Sequence, residues 1–237
     1  MDLFQGIRNS IDTRLNARVE YESRIASKDT ILDIGGRNEQ SKSYQRLRQL
    51  STNSKAKIVS TDIIDDYHPD IVDDICSSNV GSETYDAIYC NAVLEHVKDY
   101  EAAIRNIHRI LKPGGELFIY VPFAWCFHDQ MDFHRFTFSE VNRILKSFSK
   151  HKLFLPDGKG YGGVFWQTLT FYEISRFPRL WSLLSTCTNI LFTIPIAIKF
   201  VVHQAKSNNE PKISFREYRF FYTHLFLNHG FCGWAVK

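Results

Sequence analysis

The chain has 237 residues, of which 44% are apolar and 23% charged, a composition that supports one large folded domain with an appendage and excludes wholesale disorder. Its net charge of +3 conceals an uneven distribution. Residues 1–149 carry 18 Lys and Arg against 22 Asp and Glu, whereas residues 150–237 carry 11 against 4. We therefore expect an acidic first part and a basic, apolar second part with different tasks.

The cysteines and the N-terminus both predict a cytoplasmic protein. Five cysteines without a C-x-x-C pair fit neither a disulfide scaffold nor a zinc cluster. The N-terminus has no apolar signal core, and apolar residues recur there at three- and four-residue spacing between arginines. This spacing predicts an amphipathic helix in a segment 1–27. The stripe consists of Phe4, Ile7, Ile11, Leu15 and Val19.

Short β runs alternate with helical patterns over most of the remaining chain. The predicted strands are 30–35, 57–62, 70–75, 85–91, 115–122, 151–157 and 229–237. Strands that alternate with helices indicate parallel βαβ units, so the fold class is α/β, a Rossmann-like, doubly wound, mostly parallel seven-stranded sheet with helices on both faces. Residues 28–160 would form the core, 161–228 a basic, apolar helical insertion, and 229–237 the last strand. Thr137 and Glu140 predict a capping box for one helix.

Ligands of a doubly wound sheet bind beyond the carboxyl ends of its strands. The first strand ends in Asp33, Gly35 and Gly36, where small residues let a ligand approach the backbone and a helix N-terminus offers N–H groups. The second ends in Asp62, a carboxylate suited to ribose hydroxyls. A nicotinamide site requires G-x-G-x-x-G with an acid about twenty residues later, so the spacing here disfavours that class.

Five elements in order resemble the class I S-adenosylmethionine-dependent methyltransferases, particularly their small-molecule branch. They are ILDIGGRN, VSTDI, DIVDDIC, NAVLEHV and LKPGGEL, and the likeness covers about residues 28–150. The following FHDQMDFHRFT resembles the H-x-x-x-D-Y/F-x-R-F/Y-T signature of bacterial members found with surface-glycan and secondary-metabolite pathways. The resemblance implies S-adenosyl-L-methionine as cofactor.

The resemblance also implies a role for the first glycine turn. Asp33, Gly35 and Gly36 would surround the methionine end of the cofactor. The usual third glycine is replaced, so that Arg37 begins an Arg-Asn-Glu sequence. Two interpretations stay open: Arg37 pairs with the cofactor carboxylate, or this loop is looser and binds weakly.

Further contacts to the cofactor follow from the same resemblance. Asp62 would hold the ribose, and Ile63 would pack on the adenine. Asp74 with Ile75 would meet the adenine amino group, and Asn91 would close the pocket near the sulfonium. The structural alternative is that the acid-rich stretch from 62 to 74 is solvated loop surface, although Asp62 and Asp74 follow predicted strands.

Methyl transfer to a hydroxyl needs an aligned acceptor, exclusion of water and removal of a proton. The loop after the fifth strand offers His128 as general base, with Asp132, His134 or Arg135 orienting it or the substrate. Two alternatives stay open: a structural Asp132–Arg135 ion pair, and a divalent ion held by the loop's His and Asp residues. For Glu95 and His96, which follow the fourth predicted strand, we favour a structural role.

The predicted function is therefore methyl transfer to a small-molecule hydroxyl, including that of a sugar or a lipid-linked glycan. N- or C-methylation of a metabolite is one alternative, and a catalytically silent cofactor-binding or membrane-associated partner protein is another. No nucleic-acid substrate is expected, because the fourth strand lacks an N-P-P-Y-like tetrad and the tail lacks a glycine-aromatic RNA-binding signature.

The tail contains nineteen uncharged residues between Arg179 and Lys199. This length approaches that of a membrane span, but polar residues and Pro195 weaken that interpretation. A pair of core helices, a lid over the acceptor site and an interfacial segment (176–206) in contact with anionic lipid stay open as alternatives.

Overall fold

The structure, a computed structural model, describes residues 7, 9–206 and 213–237. One sheet of eight strands forms its centre. The strands are β1 (Ile11–Asp12), β2 (Thr30–Ile34), β3 (Lys57–Asp62), β4 (Ile71–Val72), β5 (Tyr85–Asn91), β6 (Leu111–Pro122), β7 (Lys150–Phe154) and β8 (Gly230–Val236). The helices are α1 (Ala17–Ala26), α2 (Lys42–Leu50), α3 (Tyr100–Ile110), α4 (Phe138–Ile144), α5 (Gly160–Leu169), α6 (Pro178–Leu191), α7 (Thr193–Lys206) and α8 (Phe215–Phe220).

The strands are arranged in the order β1-β7-β8-β6-β5-β2-β3-β4. All neighbours are parallel except β8, which runs antiparallel to both β6 and β7. The chain proceeds outward from β2 in one direction through β3 and β4, and from β5 in the other direction through β6. The order therefore reverses between β2 and β5, and the crevice at their carboxyl ends is the expected ligand site of such a sheet.

Alternate residues of the central strands serve two separate cores, because successive strand side chains point to opposite faces. Ile31 packs with α1 and α2, whereas Leu32 packs with α3 and α4. In β5, Tyr89 packs in the same core as Ile31, and Cys90 packs in the same core as Leu32. This confirms the predicted doubly wound sheet with helices on both faces. All seven predicted strands are present, but the sheet has eight strands, because β1 adds one at the edge next to β7.

The N-terminal prediction is partly wrong. Residues 1–6 and 8 lie outside the described part of the chain, but Ile11 belongs to β1 and pairs with Leu153 of β7 instead of continuing a helix. Ile7 is helical, but the helix after β1 begins at Ala17. Leu15 and Val19 are 60% and 47% exposed, so the predicted apolar stripe is not the buried one. Backbone pairing at the sheet edge overrides the helical periodicity here.

The α4 cap is confirmed, although not the complete box. Thr137 Oγ1 accepts a hydrogen bond from the Glu140 backbone N–H, as predicted. The Glu140 carboxylate accepts instead from Tyr100 and Arg143. The helix is therefore tied to α3 through its first turn.

The segment between β7 and β8 is helical, as predicted, and includes α5 to α8. Its apolar residues are largely exposed rather than packed in a core, which contradicts the alternative that 180–202 forms a pair of core helices. The exposed fraction is 48–67% for Leu180, Leu183, Ile190, Leu191, Ile194, Ile198, Val201 and Val202.

Candidate functional site

The turn after β2 is closed to any residue larger than glycine. Gly35 has a φ of 69°, and its N–H and that of Gly36 both donate to the Thr61 carbonyl of β3, at 2.7 and 3.2 Å. A Cβ on Gly36 would lie 2.3 Å from Oδ2 of Asp33. The turn therefore brings the ends of β2 and β3 together and leaves backbone accessible beside a carboxyl group.

Asp33 lies directly beneath this turn and is fully buried. Ser43 Oγ of α2 donates to Asp33 Oδ2 at 2.7 Å, and Oδ1 has no hydrogen-bond partner among the described residues. Burial raises the pKa of this carboxyl to about 7, and the Ser43 hydrogen bond offsets only part of the effect. A cation bound near the turn would therefore lower the pKa of Asp33 and favour its ionised form.

The loop that replaces the usual third glycine is held by Tyr67. Arg37 has a φ of 56°, and its guanidinium lies 4.0 Å from the centre of the Tyr67 ring. Asn38 Nδ2 donates to the Tyr67 carbonyl at 2.8 Å. Arg37 therefore anchors this loop to the connection after β3, and its pairing with a cofactor carboxylate stays a prediction.

The acid-rich stretch places Asp62 and Asp74 at the carboxyl ends of β3 and β4. Asp62 Oδ1 accepts from the Ile64 N–H at 3.0 Å, and Ile63 is 58% exposed, as a surface that receives a ligand would require. Asp74 Oδ1 accepts from the Cys76 N–H at 2.9 Å. Ile75, in contrast, is 6% exposed and packs in the core, so its side chain is not placed to meet an adenine.

At the end of β5, Asn91 Oδ1 accepts from Arg18 Nη2 of α1 at 3.0 Å. Arg18 Nε in turn donates a hydrogen bond of 2.9 Å to Glu22, which is fully buried. The Glu22 carboxylate also accepts hydrogen bonds from Arg46 and from the Tyr89 hydroxyl. In the sequence, Arg18 is only one of the arginines between the apolar residues of the N-terminal segment. Its partner Asn91 is 73 residues away, and no local pattern connects the two.

Two adjacent cavities lie at this crevice, with volumes of about 550 and 270 Å³. They share Arg18, Asn91, Pro156 and Asp157 in their walls. The larger is completed by α1 and α2, and the smaller by the loop after β6 and by α6. Gly35, Asp62 and Asp74 do not line these two cavities. Asn91 therefore lines both cavities, whereas Asp62 and Asp74 lie farther along the sheet edge.

The loop after β6 contains a partly buried ion pair, in which the Arg135 side chain is 28% exposed. The Asp132 carboxylate is fully buried, and Arg135 donates to both of its oxygens, at 2.6 Å to Oδ2. This contact holds the pKa of Asp132 down at about 2. Phe136 is 1% exposed, in the core. The structural alternative for this pair is confirmed, and the same carboxylate also contacts His128, with Nδ1 3.2 Å from Oδ2.

His128 and His134 differ in position. His128 lines the smaller cavity, whereas His134 faces the Lys98 carbonyl at 3.4 Å and the Tyr100 ring. Glu95 lines the cavity beside His128, is 1% exposed, and has its pKa raised to about 7 by burial. His96 contacts the His128 ring edge-on at 5.0 Å between centroids. A structural role was expected for Glu95 and His96, whereas the fold places both beside the candidate base His128.

Comparisons with known proteins agree with this architecture. A sequence model described as a methyltransferase domain matches residues 8–154, more than half of the chain. A ubiquinone biosynthesis O-methyltransferase of Xanthomonas oryzae pv. oryzae is 46% identical over 54 residues, which are 23% of this chain and 22% of that enzyme. The chain thus matches about a fifth of the length of this curated relative.

Two solved structures share the fold. A SAM-dependent methyltransferase from Archaeoglobus fulgidus has a TM-score of 0.55 at 12% identity, over 94% of this chain and 92% of the other. The cyclase SpnF has a TM-score of 0.52 at 14% identity, over 94% and 80%. At these identities the likeness concerns the fold alone. On the strength of the sequence match over residues 8–154, the chain belongs to the methyltransferase-domain family.

Proposed function

We propose that the protein transfers a methyl group from S-adenosyl-L-methionine to a hydroxyl of a small-molecule acceptor. The observation that carries this proposal is the pair of adjacent cavities at the switch point between β2 and β5, with Asn91 in both walls. The larger cavity is lined by Ser43, which donates a hydrogen bond to Asp33 beneath the glycine turn, and the smaller cavity contains His128. The match to an O-methyltransferase supports oxygen as the methylated atom.

The residues present fit the cofactor. A Cβ would fill the cradle at Gly36, and Asp33 beneath it has an oxygen without a partner among the described residues. We propose that Asp62 binds the ribose hydroxyls and that the exposed side chain of Ile63 packs on the adenine. Gly35 and Gly36 would surround the methionine end of the cofactor. When bound, the cofactor supplies a methyl group already activated on a sulfonium.

His128 is the residue proposed to promote loss of the hydroxyl proton. Its Nδ1 lies 3.1 Å from the Cys126 carbonyl and 3.2 Å from Asp132 Oδ2, so this nitrogen is engaged and Nε2 is left to act on a substrate. The Asp132–Arg135 pair holds the loop that carries His128. Asp132 and Arg135 are therefore positioning residues.

A methyl-transfer assay with isotope-labelled cofactor and a panel of hydroxyl and amine acceptors tests this function. We expect His128→Ala to lose at least ten-fold in turnover and to keep its affinity for S-adenosylhomocysteine. His134→Ala is the matched control, since this histidine belongs to the same loop but faces Lys98. Transfer confined to amines, or full turnover in His128→Ala, would contradict the hydroxyl mechanism.

We further propose that α6 and α7 contact a membrane surface. They form an apolar segment, Pro178–Ala205, that is long and apolar enough to span a membrane. An 18-residue window within it has a mean hydropathy of 1.6, and only 17% of that window is buried. The amphipathicity of α6 is inverted relative to a helix on a water-soluble core. Its buried side includes Ser185, Thr188 and Asn189, while Leu183 and Ile190 are about 60% exposed.

The packing of α6 on α5 supports the same proposal. A Cβ on Gly162 would lie 2.3 Å from the Ser185 carbonyl, so the two helices approach closely through small residues. Asn189 accepts from the Gly162 N–H at 2.9 Å, and Trp166 Nε1 donates to Thr188 at 2.7 Å. Small residues and interhelical hydrogen bonds characterise helix contacts in lipid.

Trp181 connects the exposed helices with the smaller cavity, which we assign to the acceptor and call the acceptor cavity. This residue belongs to α6 and also lines the smaller cavity, together with Trp125 and His229. Arg176, Arg179 and Lys199 flank the apolar surface and are all exposed. An amphipathic acceptor held at an anionic lipid surface would thus have its polar part close to His128.

Co-sedimentation with liposomes tests the membrane proposal. We expect the wild type to bind anionic vesicles and a Leu183→Ser, Ile190→Ser, Ile194→Ser variant to lose most of that binding. Val72→Ser is the control, because this residue is 53% exposed but belongs to β4 at the far edge of the sheet. A variant with Arg176, Arg179 and Lys199 neutralised should bind anionic vesicles more weakly. Equal binding by all these proteins would contradict the proposal.

A further inference from the structure

Three side chains beside the acceptor cavity form a cluster of metal-ligating groups. Glu95 and His96 belong to a single 3₁₀ turn, Leu94–His96, that follows β5, and His128 belongs to the loop after β6. One ligand atom from each lies within 4.8 Å of the others. Glu95 and His128 also line the smaller cavity, so the cluster is open to an acceptor.

The two imidazoles are oriented as metal-binding histidines are. His96 Nδ1 lies 3.1 Å from the Met131 carbonyl, and His128 Nδ1 lies 3.1 Å from the Cys126 carbonyl. A histidine that donates its Nδ1–H to a carbonyl presents an unprotonated Nε2 as ligand, and such outer partners normally fix metal-bound rings. Asp132, 3.2 Å from His128 Nδ1, adds a buried carboxylate behind one ring.

The third group is a buried carboxylate with one oxygen that is unsatisfied within the described part of the chain, and its other oxygen, Oε1, lies 3.9 Å from His96 Nε2. Glu95 is 1% exposed, and its Oε2 has no hydrogen-bond partner among the described residues. A buried ionised carboxylate without a partner is costly unless a cation or hydrogen bonds compensate it. Arg135 does not fill this role directly, because its guanidinium is engaged by Asp132 and by backbone carbonyls.

We propose that Glu95, His96 and His128 bind one divalent transition-metal ion through the Glu95 carboxylate and the Nε2 atoms of both histidines. Two imidazoles and one carboxylate suit Zn²⁺, Mn²⁺ or Fe²⁺ better than Mg²⁺ or Ca²⁺, which prefer oxygen ligands. Metal–ligand bonds of about 2 Å place ligand atoms about 3 to 4 Å apart, and the three ligand atoms already lie within 4.8 Å of one another. Because Glu95 and His128 line the cavity, an acceptor would reach the ion from there.

This inference rests on the proposed function and gives His128 a more specific means of promoting deprotonation. A hydroxyl bound to a divalent ion has a lowered pKa and loses its proton to solvent water near neutral pH. The resulting oxygen forms a C–O bond with the methyl carbon as the S–C bond breaks, and the electron pair of that bond stays on sulfur. His128 then acts as a metal ligand instead of accepting the proton.

Metal binding can be measured without any acceptor. The purified protein is stripped with EDTA, dialysed, and titrated with Zn²⁺ by calorimetry and with Mn²⁺ by electron paramagnetic resonance. We expect one ion per wild-type chain and at least ten-fold weaker binding by His96→Ala and by Glu95→Gln. His134→Ala and Asp129→Asn are controls from the neighbouring loop and should bind like wild type. Circular dichroism checks that each variant is folded.

Absence of stoichiometric binding by the wild type, or equal binding by His96→Ala, would overturn the inference. Turnover that is unchanged in EDTA, while the ion still binds to the protein without chelator, would overturn the assigned role of the ion. Binding of S-adenosylhomocysteine is measured on the same EDTA-treated protein. Failure of that binding contradicts the proposed function and not the metal site, so the two outcomes are separate.

Discussion

Asp33 permits the most quantitative prediction, because its environment makes the fold sensitive to pH. The carboxyl is fully buried, receives one hydrogen bond from Ser43, and has a pKa of about 7 against 3.8 when free. Since the folded pKa lies above the unfolded one, the stabilising contribution of the bound proton is complete below about pH 4 and is lost as the pH rises through 7.

The magnitude follows from the two pKa values. Linkage gives a destabilisation from the raised pKa of about 2 kcal/mol at pH 5, where the folded carboxyl is protonated and the unfolded one is ionised, and of about 4 kcal/mol at pH 8.5, where both are ionised. The Asp33→Asn side chain does not ionise, so the variant lacks this pH-dependent contribution, and any cost of the new amide does not depend on pH. The free energy of unfolding of the variant, relative to wild type, should therefore increase by about 2 to 3 kcal/mol between pH 5 and pH 8.5.

Urea unfolding followed by tryptophan fluorescence at the two pH values measures this difference. Asp66→Asn is the control, because Asp66 is an exposed carboxylate of the acid-rich loop and its replacement should have the same small effect at both pH values. A difference between Asp33→Asn and wild type that does not change with pH would refute the assigned burial of a charge beneath the glycine turn.

Three further substitutions test the site. Gly36→Ala places a Cβ 2.3 Å from Asp33 Oδ2 and should weaken S-adenosylhomocysteine binding at least ten-fold in calorimetry, with unchanged circular dichroism; normal affinity would show that the turn does not hold the cofactor. Arg18→Met removes a donor from Asn91 and from buried Glu22, and should lower the free energy of unfolding by about 1 to 3 kcal/mol in urea titration. An unchanged midpoint would contradict that network. Asp132→Asn weakens the ion pair that holds the His128 loop, so turnover should fall about ten-fold or more while cofactor affinity is retained. Unchanged turnover would show that the Asp132–Arg135 pair does not position His128.

Much of the sheet follows from local pattern. The strands β2, β3 and β5 are short apolar runs that end next to a glycine, an Asp and an Asn, and their alternation with helices follows from this pattern. The strand order, with its reversal at β2 and β5, is a tertiary property. The edge strand β1 could not be predicted, because two residues carry too little periodicity. Its existence depends on pairing with β7, about 140 residues later.

The site was predictable only where a motif is local. The glycine turn and the carboxylates Asp62 and Asp74 each lie within two residues of the strand that positions them, and they occupy the strand ends as predicted. Arg18 and Asn91 meet only through the fold. The orientation of α6 is also a tertiary property, because periodicity identifies an apolar face without indicating whether that face is buried or exposed.

Calorimetric titration with S-adenosylhomocysteine tests the central claim most directly. We expect the wild type to bind one molecule per chain, Asp62→Ala to bind at least ten-fold more weakly, and Asp66→Ala, an exposed neighbour in the same loop, to bind like wild type. Absence of binding by the wild type would contradict the proposed methyl transfer. Equal binding by Asp62→Ala would show that the cofactor does not lie at the carboxyl end of β3.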